Sequence, residues 1–165
     1  MEYSELEMLE SLFDSVGVVT VNGNGFKPTF DYGTVEDLNK FLRIKKTGST
    51  NTYPLIWVTT PFKTSYHNVN ETKSSVTLIL ATNSDSVSLN KDRAKTTIKS
   101  VLLPLISNIK EAIIRSPYII GGRDRDYDLT YHFNYAVEET RATTIWDAIE
   151  LTLELKFKIC NYNKN

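Results

Sequence analysis

The chain has 165 residues, 19 basic and 20 acidic side chains for a formal net charge of -1, and a hydrophobic share of 41%. That length suits one domain with a real core, and the balanced charge excludes a grip on nucleic acid through an overall basic excess, leaving room only for a local basic patch. A lone cysteine, Cys160, excludes a scaffold built on intrachain disulfides.

The first element is a helix over about residues 4–16. Ser4 and Glu7 have capping-box spacing, Leu6, Leu9, Leu12, Phe13 and Val16 recur at helical intervals, and Gly17 is the expected stop. Its acidic, amphipathic start does not read as a signal peptide, and no apolar run reaches the ~18 residues of a spanning helix. A soluble protein of a reducing cytoplasm is the expectation. GVVTV (17–21) reads as a short strand, followed by the turn dipeptides Asn22-Gly23 and Asn24-Gly25 and an irregular FKPTFDYGT. Thr34 caps a second short helix that carries Val35, Leu38, Phe41 and Leu42.

KKTGSTNT (45–52) is a polar loop, and YPLIWVT (53–59) is a strand covered on both faces. Residues 62–74 are polar and read as a long connecting arm before the next strand, Ser75 to Thr82. Flexible arms are expected near 44–52, 62–75 and 137–145. Ile98, Val101, Leu102, Leu105, Ile106, Ile109, Ala112 and Ile113 mark the longest helix, kinked by Pro104 and ending near Ser116, before Pro117. Leu129 to Tyr135 alternates as a half-buried strand. Ile149 to Ile159 alternates most regularly, with Glu150, Thr152, Glu154, Lys156 and Lys158 on its polar face. Strands in consecutive pairs predict an α+β domain with an antiparallel sheet of four or five strands and the long helix across its apolar face.

GGRDRDYD (121–128) is the densest polar stretch. Its glycines follow a helix and precede a strand, the reverse of a phosphate-binding loop. Asp124, Asp126 and Asp128 start like a calcium loop, but the required glycine and closing acid are missing. An exposed helix-to-strand connection is the better reading. His67 and His132 lack zinc-ligand spacing, and Cys160 reads as an idle thiol. Glu154-Leu155-Lys156 has the E-x-K form of metal-dependent nucleases, with Asp128 on the preceding strand. That arrangement would hold Mg²⁺ on two carboxylates and support the attacking water with lysine. Exposed strands with alternating charges also produce the motif by chance.

YPLIWVTTPF (53–62), VTLILATNS (76–84), LNKDRAKTTIKSVLLPLISNIKEAI (89–113) and IWDAIELTLELKFKIC (145–160) follow one another in that order. The succession resembles small virion proteins of tailed bacteriophages, of the tail-terminator, tail-completion and head-tail connector kind. The likeness spans roughly 53–160 and is one of pattern and order. It implies a structural, non-enzymatic subunit without catalytic residues or cofactors, located in the virion and in the host cytoplasm during assembly. Such subunits form hexameric or dodecameric rings at the neck, contacting other neck, portal or tail-tube proteins, with DNA passing through the lumen and no membrane partner. Arg123, Asp124, Arg125, Asp126, Glu150, Glu154, Lys156 and Lys158 are the interface candidates on this reading. The alternatives are a Mg²⁺-dependent nuclease using Asp128, Glu154 and Lys156, and a monomeric adaptor that binds one protein.

Overall fold

The computed structural model describes residues 4–21, 23–45, 54–68, 70–85, 88–121, 127–135 and 144–158. Helix α1 (Glu5–Asp14) begins where the sequence marks it. The Ser4 hydroxyl accepts from the Glu7 N–H, and the Glu7 carboxylate accepts from the Ser4 N–H at 2.6 Å. The helix closes at Ser15, two residues before the expected glycine. Strands β1 (Val19–Val21) and β2 (Asn24–Phe26) form a small hairpin with Gly23 in its turn at φ 82°, so Asn24-Gly25 lies in a strand rather than in a second turn.

The irregular segment expected after this hairpin contains strand β3 (Thr29–Gly33), which runs parallel to β4 (Leu55–Thr59). Helix α2 (Val35–Lys45) connects the two, as a parallel pair requires. Its start repeats the first cap: the Asp37 carboxylate accepts from the Thr34 N–H and hydroxyl, and the Asp37 N–H donates to the Thr34 hydroxyl. Gly33 lets this turn pass close to Trp57. A Cβ there would sit 2.9 Å from the indole and 3.0 Å from the Asp37 Cβ.

The polar arm expected at 62–74 is itself paired. Strand β5 (Lys63–Asn68) turns directly into β6 (Glu71–Asp85), and β4 and β5 lie in line along one edge of β6. Between Val58↔Leu78 and Lys63↔Ser75 the β4–β5 side spends four residues against two, so the double strand carries a bulge that includes the cis Thr60–Pro61 peptide. Strand β8 (Thr144–Lys158) pairs with the whole of β6, and β7 (Tyr127–Tyr135) closes the far side. The sheet is therefore mixed and six-stranded, in the order β3-β4-β6-β8-β7 with β5 also on β6, where a purely antiparallel sheet of four or five strands was expected. A half-polar strand such as KTSYHN shows no apolar alternation, which is why it read as a loop.

The long helix runs from Asn90 to Arg115 in three pieces: α3 (Asn90–Arg93), a π-helical stretch (Ala94–Leu102) and α4 (Leu103–Arg115). Pro104 sits in the first turn of α4. Proline has no N–H to offer the carbonyl four residues back and would clash with it. The wider π turn, closed by the Leu103 N–H donating to the Ile98 carbonyl, accommodates this without ending the helix. The helix thus continues through Pro104 with a π-helical stretch immediately upstream of it.

This helix and α1 cover one face of the sheet, burying Val76, Leu78 and Leu80 of β6 and Leu151, Leu153, Leu155 and Phe157 of β8. Among the described residues the opposite face is sealed at one end. There α2 places Leu38 and Leu42 over Leu55, Trp57, Ile79, Ala81, Trp146 and Ala148. Both faces of β4 are thereby buried, as its continuous apolar run predicted. Beyond α2 no helix among the described residues covers the second face.

Candidate functional site

The open face is built from every second residue of three neighbouring strands. Strand β8 contributes Glu150, Thr152, Glu154, Lys156 and Lys158, paired across to Ile79, Thr77, Ser75, Lys73 and Glu71 of β6. Strand β7 adds Asp128 opposite Thr152 and Thr130 opposite Glu150. The period-two alternation of β8 puts its leucines under the helices and its charges here, as expected.

A groove of about 770 Å³ crosses this surface, lined by Lys73, Ser75, Ile120, Gly121, Tyr127, Asp128, Thr152, Glu154 and Lys156 among others. Asp128, Glu154 and Lys156, singled out by the E-x-K reading, therefore share one groove. Asp128 and Glu154 are diagonal neighbours on adjacent strands, a separation of roughly 7–8 Å by sheet geometry. The Glu154 carboxylate, however, is held by Lys73, whose Nζ lies 2.6 Å from Oε2 across the β6–β8 ladder. Lys73 lies in the stretch read as a polar arm, so nothing in the sequence coupled it to Glu154. Among the described residues no cluster of three or more His, Cys, Asp or Glu side chains is arranged to hold a metal ion.

The other candidates divide. Glu150 is half-buried, and its Oε2 lies 3.6 Å from Nε2 of His132, while Lys156 and Lys158 are exposed. Arg123, Asp124, Arg125 and Asp126 lie outside the described residues, as does Cys160. The ends of their segment are described. Ile119 bridges to Phe157, Gly121 follows at φ 65°, and β7 starts at Tyr127, so the stretch connects the long helix to an edge strand. The positive φ is the backbone reason for a glycine at 121. Of the expected arms, 46–52 and 137–143 also lie outside the described residues.

A second polar cluster lies under the helix face, where sequence reasoning named nothing. Asp147 is fully buried and in register with Thr82 of β6. It receives Nε of Arg93 at 3.1 Å, a second guanidinium nitrogen, and the Thr97 hydroxyl at 2.8 Å. Arg93 also donates to Ser84 and Asn90, and its guanidinium carbon lies 5.4 Å from the Phe133 ring centroid. The cluster docks the start of the long helix onto the sheet. One signal was legible: Asp147 stands on the apolar row of β8, two residues before Ile149, and an acid there requires a buried cation.

Comparisons with protein-family models and with curated proteins return no match. Among the described residues no helix is long and apolar enough to cross a membrane.

Proposed function

We propose that this chain is a structural subunit of a phage virion, forming an oligomeric ring at the neck, as a tail terminator or head-tail connector, through which DNA passes. The observation that carries the reading against its enzymatic rival is the Lys73–Glu154 pair at the centre of the open face. A carboxylate already neutralised by a lysine is a poor seat for a divalent cation. A surface with both charge signs side by side suits a specific, register-sensing contact between subunits. The succession of β4, its partner β6, a long helix and a terminal alternating strand also agrees with the order on which the resemblance to neck proteins rests.

The nuclease reading keeps one observation in its favour: Asp128, Glu154 and Lys156 line the same groove. Light scattering with negative-stain images of the purified protein separates the two. Closed rings of uniform size are expected. A monomer that cleaves DNA only with Mg²⁺, and loses cleavage on Glu154→Ala, would overturn the structural reading. A strict monomer inert toward DNA would favour the adaptor.

A further inference from the structure

Two helices carry rows of like charge on their outer sides. On α1, Glu7, Glu10 and Asp14 are exposed and lie opposite the buried Met8, Leu9, Leu12 and Phe13. On the long helix, Lys91, Lys95 and Lys99 are exposed at intervals of four, and the exposed Leu103 continues the row. Among the described residues none of these six charges has an ion-pair partner, although Glu7 also closes the α1 cap. Asp92 is the acid beside the lysines, on the neighbouring ridge with Thr96 and Ser100. Both rows go against the local preferences of a helix. Like charges four apart destabilise it, as Glu10 with Asp14, Lys91 with Lys95 and Lys95 with Lys99 do here. Asp14 stands in the last turn of α1 and Lys91 in the first turn of the long helix, each facing the dipole end of its own sign. The winding nevertheless keeps the lysines in line. In an α-helix a step of four over-rotates by about 40°, and the i→i+5 turns of Ala94–Leu102 take up that drift.

We propose that the acidic row of α1 in one copy of this chain docks on the lysine row of the long helix in another. The inference rests on the ring reading above for the need of a subunit contact and names that contact. Charge complementarity identifies the occupant as a second copy: each row supplies the charge that the other lacks, and docking removes the like-charge repulsion in both helices at once. The rows also match in length. At the helical rise of ~1.5 Å per residue, Glu7 to Asp14 spans about 10.5 Å and Lys91 to Lys99 at most about 12 Å, so three acids fall against three lysines. Val18 just past α1 and Leu103 at the end of the lysine row, 61% and 37% exposed, add apolar surface beside the charges. Helices α1 and α4 cover the same face of the sheet, and the groove lies on the opposite one, so the contact leaves the groove accessible. Used head to tail, two unlike surfaces close a ring when the rotation closes, whereas used twice about a two-fold axis they stop at a dimer.

The test is light scattering and sedimentation of the full chain with two charge reversals, Glu10→Lys/Asp14→Lys on α1 and Lys95→Glu/Lys99→Glu on the long helix. Glu7 is kept because it closes the α1 cap. The wild type is expected to self-associate at roughly 0.01 M salt and to weaken at least about tenfold at ~1 M, where charges are screened within ~3 Å. Each reversal alone is expected to be monomeric, because it leaves a copy with two rows of one sign. Mixing the two reversals should restore association, and so should one chain carrying all four substitutions, in which the rows have exchanged signs. Circular dichroism checks the fold. If a reversal does not fold, the neutral pairs Glu10→Gln/Asp14→Asn and Lys95→Gln/Lys99→Gln replace it, each expected to weaken association about tenfold, and undiminished association overturns the contact. Rings that survive either reversal overturn the contact and leave the ring reading standing. Reversals that dissociate the protein without recovery on mixing or in the fourfold variant also overturn it. A wild type that stops at a dimer and shows the full exchange behaviour supports the contact and counts against the ring. A wild type that is monomeric at millimolar concentration and low salt overturns the contact and counts against self-assembled rings. DNA binding that is lost in Lys95→Glu/Lys99→Glu while assembly is unchanged assigns the lysine row to nucleic acid and overturns the contact.

Discussion

Replacing Asp147 by asparagine strands the Arg93 guanidinium in the interior. Arg93 is 3% exposed and Asp147 0%, so solvent cannot take over the lost partner. Ser84 and Asn90 still accept from Arg93, but neither carries charge. Removing one member of a buried pair typically costs about 3–5 kcal/mol, a large part of the roughly 5–15 kcal/mol that holds a domain together. For a chain of this size that lowers the melting temperature by about 6–20 °C, taking about 2–4 °C per kcal/mol. Arg93→Met should cost a similar amount, because the carboxylate then keeps only the Thr97 hydroxyl. The double variant Arg93→Met/Asp147→Leu should recover most of the loss, landing within about 2 kcal/mol of wild type, since no ion is left buried. Thr97 is not orphaned in it, because the Arg93 carbonyl, 2.6 Å from its hydroxyl, shares that single proton with Asp147 and takes it wholly once the carboxylate is gone. Urea unfolding followed by circular dichroism gives the four corners of the cycle. Single variants costing under about 1 kcal/mol, or a double variant costing the sum of the two, would refute the claim that the pair matters by mutual neutralisation. The exposed Glu111–Arg115 pair is the control, and Arg115→Ala should move stability by less than about 0.5 kcal/mol.

Gly33→Ala should destabilise by about 1–3 kcal/mol, because the new methyl meets the buried Trp57 indole at 2.9 Å and the Asp37 Cβ at 3.0 Å, and a thermal melt within error of wild type would contradict this. Ser4→Ala should cost about 1 kcal/mol through loss of the α1 cap, read in the same melt. The capping carboxylates should titrate below their ordinary range: Glu7 because it accepts the Ser4 backbone N–H and then its hydroxyl, Asp37 because it accepts the Thr34 hydroxyl and then its N–H. A depressed folded-state pKa means their contribution is complete above the ordinary values of about 4.3 and 3.9 and is lost as pH falls through the folded-state values. Carboxyl carbon shifts followed by NMR titration check the direction, and midpoints at or above the ordinary values would refute the caps.

The alternation of β8 and the apolar run of β4 were legible because each strand's surroundings are uniform along its length, so burial writes itself into the sequence at period two or as a continuous block. The Ser4–Glu7 capping box and the Thr34 cap were legible for a related reason, since four consecutive residues contain the whole interaction, although Asp37 as the second half of the Thr34 box was not read. The β5–β6 ladder was not. Its residues Lys63 to Tyr66 are exposed or half-buried, and hydrogen bonding of the backbone leaves no pattern in side-chain type. The candidate site followed the same division. Glu150, Glu154, Lys156 and Lys158 were identified as one polar face from β8 alone, while Lys73, which neutralises Glu154, lies 81 residues earlier in the chain and meets it only through strand register.

The amino-acid sequence by itself determined the local events: where helices start and which strand face is apolar. The tertiary structure alone decided that β3 is parallel, that α2 seals one end of the second face, and that Arg93 is the cation for Asp147. The reason is one of range. Propensity, capping and periodicity act within a few residues, whereas strand order and register are fixed by contacts between segments far apart in the chain, whose closure leaves no mark on either segment read alone.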